Sequence, residues 1–307
     1  MNNVRSRVLL AGTLALIAGM AVGAGAYETE PTEDRFAHLP SSVQLTGVVR
    51  DFKEKSVAGG HPDFERQPTS GFAMYSNTVQ NTMDVDNKPV FRSTGNKVTT
   101  DFKDSSGRAM ISPREYIQVR PGDVAGVVAT TAGGALTNAA NHAQWFRDVP
   151  AMNISKQLSL NLVRQPNTNI YTFNDRTDPL YSSKGGFFPI DGELFGNSAG
   201  GTKNFHFTFE LQTMFTFKRG TGQVFTFTGD DDVYVFIDGK LVIDIGGVHS
   251  AKSQTIDVDR LGWLVDGTNY PLSFFFVERH RTQSNFRIDT NMMLRNLEMP
   301  STTALYD

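Results

Sequence analysis

The chain has 307 residues, no cysteine, 39% apolar residues and a formal net charge of −3. That length is enough to bury a large core without covalent staples. The absence of cysteine excludes a thiol nucleophile, and the mildly acidic balance argues against a nucleic-acid footprint or a polybasic membrane patch.

Arg5 and Arg7 form a short basic head before an uncharged run from Val8 to Val22, and Ala24-Gly25-Ala26 supplies the small residues a signal peptidase accepts. This pattern predicts a secretory signal over 1–26, cleaved after Ala26, because the apolar core is short for a membrane span. An uncleaved anchor is the alternative. No cysteine follows the run, so a bacterial lipid anchor has no attachment atom. Without Arg5 and Arg7 the remainder carries 27 basic against 32 acidic residues, a net charge of −5. It holds no further stretch long and apolar enough to span a bilayer. The expected location is secreted, extracellular or at the cell surface.

Residues 27–42 are polar, contain proline and lack a period, and read as a flexible tether. A first strand is predicted over Val43 to Phe52. From Lys53 to Asn96 the chain is rich in Gly, Pro, Asn, Asp and Thr and is expected to wander over the surface with short ordered pieces. The loop-rich stretch extends over 53–140, followed by a short helix within Leu136 to Phe146 that Pro150 keeps from continuing. Beyond Ile154 the pattern turns regular. Leu158, Leu160 and Leu162 alternate with more polar neighbours, as do Phe205, Phe207 and Phe209, then Phe225 and Phe227, then Phe286 and Ile288. Period two with aromatic and β-branched residues marks half-buried strands. Val233 to Ile237, Leu241 to Ile245 and Phe274 to Val277 are continuously apolar, as strands covered on both faces would be. Asp238-Gly239 between two of them is a tight-hairpin signal. The predicted class is all-β: an antiparallel sandwich or barrel over 43–297, with its regular core at 154–297, long loops, one or two short helices and a tail at 298–307.

Asp230-Asp231-Asp232 lies directly between two strands. Three adjacent like charges destabilise a turn unless a cation compensates them. Close-set carboxylates suit Ca²⁺, which takes six to eight oxygen ligands; a solvated acidic turn is the other reading. The spacing is not that of an EF-hand. A glycosidase needs two carboxyls facing each other across a sugar, and Asp191, Glu193, Asp244 and Glu278 are the residues that could pair with the triplet. His249 and His280 invite a zinc or acid–base role, but no histidine pair has ligand spacing, and structural hydrogen bonding is favoured for both. Gly196-Asn197-Ser198-Ala199-Gly200 matches a nucleophile elbow by pattern, yet no helix follows, so a loop is favoured. Trp145, Trp263, Tyr171, Tyr181 and Tyr270 are the aromatic residues considered for stacking on a sugar.

Several ordered motifs resemble the fibro-slime domain: Trp145-Phe146-Arg147-Asp148-Val149-Pro150, Phe187-Phe188-Pro189-Ile190-Asp191-Gly192, Asn204-Phe205-His206-Phe207-Thr208, the run from Phe227 to Lys240, Gly246-Gly247-Val248-His249, Glu278-Arg279-His280, and Ser284 to Thr290. That domain is similar to the protective-antigen-type β-sandwich module of toxins, glycosidases and flocculin-type adhesins, implying a jelly-roll-like sandwich. The wider group carries an Asp-Asp-Gly-Val-x-Leu-x-Val-Asp-Gly stretch. Asp230 and Asp231 align with its paired aspartates, Asp238-Gly239 with its hairpin, and Asp232 with its usual glycine. In lectin-like members the aspartate pair has a cis peptide and holds Ca²⁺ that contacts sugar hydroxyls.

The resemblance therefore implies a metal site at Asp230, Asp231 and Asn285, the last a ligand from the later loop. It implies a secreted, non-catalytic module that binds a glycan or extracellular polysaccharide through Ca²⁺, in adhesion or extracellular matrix. A self-associating slime or surface-layer component without sugar recognition is the competing reading.

Overall fold

A computed structural model describes residues 33–297. The predicted signal at 1–26, the start of the tether and the tail at 298–307 lie outside the described residues.

Ten strands build the core: β1 (Ser42–Phe52), β2 (Asn153–Arg164), β3 (Tyr171–Asn174), β4 (Phe207–Thr216), β5 (Val224–Gly229), β6 (Asp232–Ile237), β7 (Lys240–Ile245), β8 (Lys252–Asp257), β9 (Asn269–Glu278) and β10 (Phe286–Thr290). They form one curled antiparallel sheet in the order β8-β5-β10-β3-β2-β1-β4-β9-β6-β7, with a hairpin of Val79–Met83 and Pro89–Phe91 added beyond β7. The longest pairings set the register: Val43 faces Leu162 between β1 and β2, and Phe207 faces Glu278 between β4 and β9. The nearly all-β architecture agrees with the sandwich expectation.

The alternation explains the curl. Phe225, Phe227, Phe286 and Ile288 turn one side chain in two inward from β5 and β10 and are buried. They meet Phe274 and Phe276 of β9: the Phe227–Phe274 centroids lie 5.5 Å apart and the Phe276–Phe286 centroids 5.0 Å apart. Phe187 enters from a loop and packs on Phe286 at 4.4 Å. Each such ring contributes about 1.5–3 kcal/mol on burial, so this aromatic layer holds the two halves of the sheet face to face.

β6 is buried at every position, as its unbroken apolar run predicts. The outer cover comes from Trp145 and Phe146, the latter packing on Phe275 of β9 at 4.8 Å. The segment expected to wander over the surface is anchored instead: Phe64, Tyr75 and Val79 are fully buried. Its Tyr75–Ser76 joins a small sheet with Asn96–Thr100 and with Val127–Ala132 from the later part of the loop-rich stretch. Likewise the described end of the tether is held, by an Asp34–Arg164 ion pair at 2.7 Å and by Tyr171 Oη donating to the Pro40 carbonyl at 2.8 Å. The short helix spans Ala139–His142, with Asn138 as its N-cap. Asp238 and Gly239 close the β6–β7 hairpin with φ of 50° and 74°, the left-handed geometry of such turns. Among the described residues no helix is long and apolar enough to cross a membrane.

Candidate functional site

Asp230 and Asp231 form the two-residue link between β5 and β6, which lie in opposite halves of the sandwich. The pair therefore sits across one end of the sandwich. Its backbone is tied to both halves: Asp230 N donates to the Asn285 carbonyl at 3.3 Å and Asp231 N to the Val277 carbonyl at 3.2 Å. The Asp230–Asp231 peptide is cis, as is Arg281–Thr282. Close approach demands Gly229, where a Cβ would fall 2.1 Å from the Asn285 carbonyl oxygen and 2.6 Å from the Phe227 ring. Gly229→Ala should therefore cost about 1–3 kcal/mol and shift the Asn285 backbone. Urea denaturation with amide chemical shifts at Asn285 checks it; unchanged shifts and stability would refute the packing argument.

The triplet divides. Asp232, wholly buried, accepts Arg279 Nε–H on Oδ2 at 2.5 Å and Gly247 N–H on Oδ1 at 2.6 Å. It is a structural ion pair rather than part of an open site. Asp230 accepts Asn285 N and Asn285 Nδ2, both at 2.7 Å. Asp231 has only long contacts, from His249 N at 3.4 Å and Arg279 N at 3.3 Å. The three residues expected at a metal site are thus near one another. As oriented, however, Asn285 presents its amide N–H to Asp230, while its oxygen accepts from Arg176 Nη2 at 2.7 Å.

Negative charge exceeds positive here. Asp230, Asp231, Asp232 and Glu278 are all buried carboxylates, and Arg279 is the one fully buried cation among them. Burial pushes the Asp230 carboxyl above its ordinary value, and pushes Asp231 and Glu278 well above theirs. Neighbouring carboxylates push all three further in the same direction. Among the described residues, neither oxygen of Glu278 has a hydrogen-bond partner.

Asp230 and Asp231 open onto a cleft of about 260 Å³ that Phe72, Val248, His249, Ser250 and residues 280–283 also line. His249 donates Nδ1–H to the Ser250 carbonyl at 2.9 Å, and burial lowers its pKa to about 4. His280 likewise donates to the Arg281 carbonyl at 2.6 Å. Both are held by backbone, as structural histidines are. Behind the cleft loop, Glu54, Glu65 and His206 place ligand-type atoms within 4.8 Å of one another. The Arg281 guanidinium pairs with both glutamates, so this cluster already holds a cation from the chain itself and anchors the loop that carries Arg281.

Of the carboxylates considered for a glycosidase pair, Glu278 is the one beside the Asp pair, and it is fully buried with no surface for a sugar. Asp191 and Glu193 are ion-paired to Lys203 and Lys156 and do not line the cleft, and Asp244 is paired with Arg114 at 3.1 Å. Ser198 hydrogen-bonds His206 Nδ1 at 3.0 Å, and His206 Nε2 meets Glu65 at 2.9 Å. Ser198 and His206 line a separate cavity of about 170 Å³. The buried Ser198 hydroxyl also accepts the Phe205 N–H at 2.9 Å there, and Ser198 lies in a loop rather than at a strand-to-helix turn. Trp145, Tyr171 and Tyr181 are core; Trp263 packs on Tyr116 and Lys240, and Tyr270 accepts the Val265 N–H. The aromatic residue at the cleft is Phe72, which no sequence pattern marks.

Residues 165–302 match the family model of the PA14 domain. The chain is similar to Protein psiQ of Dictyostelium discoideum, 38% identical over 164 residues that make up 49% of this chain and 15% of that protein. It is also 42% identical to Protein psiD of the same organism over 155 residues, 48% of this chain and 28% of that one. The chain thus spans less than a third of the length of these relatives. Among solved structures, the PA14 domain of the MpAFP antifreeze protein aligns at 10% identity over 85% of this chain and 86% of that one, with a TM-score of 0.24.

Proposed function

We propose that the protein is a non-catalytic binding module that uses Ca²⁺, held by Asp230 and Asp231, to recognise a glycan outside the cell. The carrying observation is the buried surplus of carboxylate at one end of the sandwich, opening onto a cleft through Asp230 and Asp231. Burying like charges without a counter-charge is costly, and either protons or a cation must offset it. The available donors are hard oxygens, the chemistry that Ca²⁺ prefers over softer metals. Bound there, the cation would supply a Lewis-acidic contact for ligand hydroxyls. Asn285 would set the position of Asp230, and Arg279 would remain the partner of Asp232. The match to the PA14 domain, a carbohydrate-binding-like module, supports the same reading. Fibro-slime membership and a role in adhesion or matrix are proposed with it, from the motifs between Trp145 and Thr290.

Millimolar CaCl₂ should raise the unfolding temperature, because a ligand that binds only the folded state stabilises it, by about 2.7 kcal/mol at a hundredfold excess over Kd. Asp230→Asn with Asp231→Asn should abolish that shift and leave the chelated protein at least as stable as wild type, since both carboxyls are buried and raised. Calorimetry with no heat and no shift would sink the metal assignment.

A further inference from the structure

The cleft has a wall that the PA14 match does not include. Residues 165–302 supply the Asp pair and the 280–283 loop, whereas Phe72 comes from the long N-terminal stretch. It is 49% exposed and is the one exposed Phe, Tyr or Trp among the described residues. Singly exposed apolar residues are ordinary; what singles out Phe72 is that its ring lines the same cleft as Asp230 and Asp231.

Its placement is fixed on both sides. Gly71 N donates to the Pro68 carbonyl at 3.0 Å, Ala73 N to Val248 at 2.9 Å and Tyr75 N to Gly246 at 2.6 Å. Tyr75 Oη closes the turn on the Gly71 carbonyl at 2.6 Å. The ring meets His280 at 4.9 Å with an interplanar angle of 68°, an edge-type contact that leaves ring surface open. Around it, Ser250, Thr282 and Gln283 are exposed, and their side chains make no hydrogen bond among the described residues. The cleft therefore offers one aromatic face, uncommitted polar groups and a carboxylate floor.

We propose that Phe72 is the stacking platform for a neutral pyranose ring, so that the segment before the PA14-matched residues completes the ligand site. A pyranose presents a patch of apolar C–H groups on one face and hydroxyls at its edge, which matches this arrangement. With Ca²⁺ on Asp230 and Asp231 the dication and the two carboxylates balance, and Arg281 is already paired with Glu54 and Glu65. The cleft therefore offers no surplus positive charge to draw an acidic sugar. The inference rests on the glycan-binding reading above and names the ring-recognising residue within it.

The test compares the full chain with Phe72→Ala and Phe72→Trp on an array of neutral and acidic glycans in calcium, alongside the calcium-induced shift in unfolding temperature. Phe72→Ala should bind the neutral glycans about tenfold or more weakly, Phe72→Trp should retain binding, and the calcium shift should be unchanged in both. Alanine and wild-type proteins that bind the same glycans equally overturn the platform while leaving the glycan reading standing. So does a preference of the wild type for acidic glycans. A wild type that binds no glycan at all overturns both together. Loss of the calcium shift in Phe72→Ala would show that the residue supports the metal site instead, and would also overturn the proposal.

Discussion

Replacing Arg279 by methionine should destabilise the protein by about 3–5 kcal/mol, the range seen when one partner of a buried ion pair is removed. Arg279 has no exposed surface, and neither has Asp232, its partner at 2.5 Å. Burial by itself lowers the Arg279 pKa, yet the charge and hydrogen bond of Asp232 more than offset this and raise it. Without the guanidinium, Asp232 would keep only Gly247 N at 2.6 Å and Tyr234 Oη at 3.3 Å as partners. Two uncharged donors do not replace a cation in a dry interior.

The argument turns on the leftover charge, so it has an internal control. Asp232→Asn keeps an oxygen for Gly247 N and removes the charge. The double variant Arg279→Met with Asp232→Asn should therefore be more stable than Arg279→Met alone, with a coupling of about 1 kcal/mol or more in a denaturation cycle. Additive losses would mean that Arg279 acts through its packed volume, not its charge. The same cycle tests the division of the triplet, because only Asp232 should couple strongly to Arg279.

That division shows where sequence reading runs out. Strand alternation was legible at Phe225-Phe227 because β5 has one buried and one half-buried face. The same alternation at Phe207-Phe209 suggested a half-buried strand, although Thr208 and Glu210 are buried too, Thr208 donating to the Trp145 carbonyl and Glu210 pairing with Lys88. The β6–β7 hairpin was legible at Asp238-Gly239 because positive φ selects those residue types. Even Glu278 follows, two residues after inward-facing Phe276 and hence on the buried side. By contrast, the three aspartates are chemically identical in the sequence. Their separation depends on Arg279, which lies 47 residues on from Asp232. Phe64, Tyr75 and Val79 were missed for another reason: each enters the core singly from a segment with no period, so no moment or alternation accumulates. Phe72 was missed because exposure is a property of the neighbours a residue lacks. Asn285 lies beside Asp230 with its amide N–H toward that carboxylate and its oxygen on Arg176, a partner that no spacing announces.

Asp51, in β1 and away from the cleft, should give the protein a pH dependence opposite to that of ordinary acid denaturation. It has no exposed surface, and it accepts Asn204 Nδ2 at 2.8 Å and Phe195 N at 2.7 Å. Burial outweighs these hydrogen bonds and pushes its carboxyl up to about 7 from an ordinary value of 3.8. Between those two values the folded chain holds a proton that the unfolded chain has released. Stability must therefore fall as pH rises through this window, by up to about 1.4 kcal/mol per pH unit, and level off above it. Other groups titrate in the same range, so the informative quantity is the difference between wild type and Asp51→Asn, which cannot ionise. Urea denaturation of both proteins at about pH 5 and about pH 8 should show that wild type loses roughly 2–3 kcal/mol relative to the variant. Parallel profiles would mean that Asn204 and Phe195 hold the carboxylate ionised despite its burial. Calcium supplies a further discriminator, because Asp51 does not line the cleft where the cation is proposed to bind. The wild-type-minus-variant difference should be the same with the cation or with chelator, whereas any pH dependence arising at Asp230 and Asp231 should respond to it.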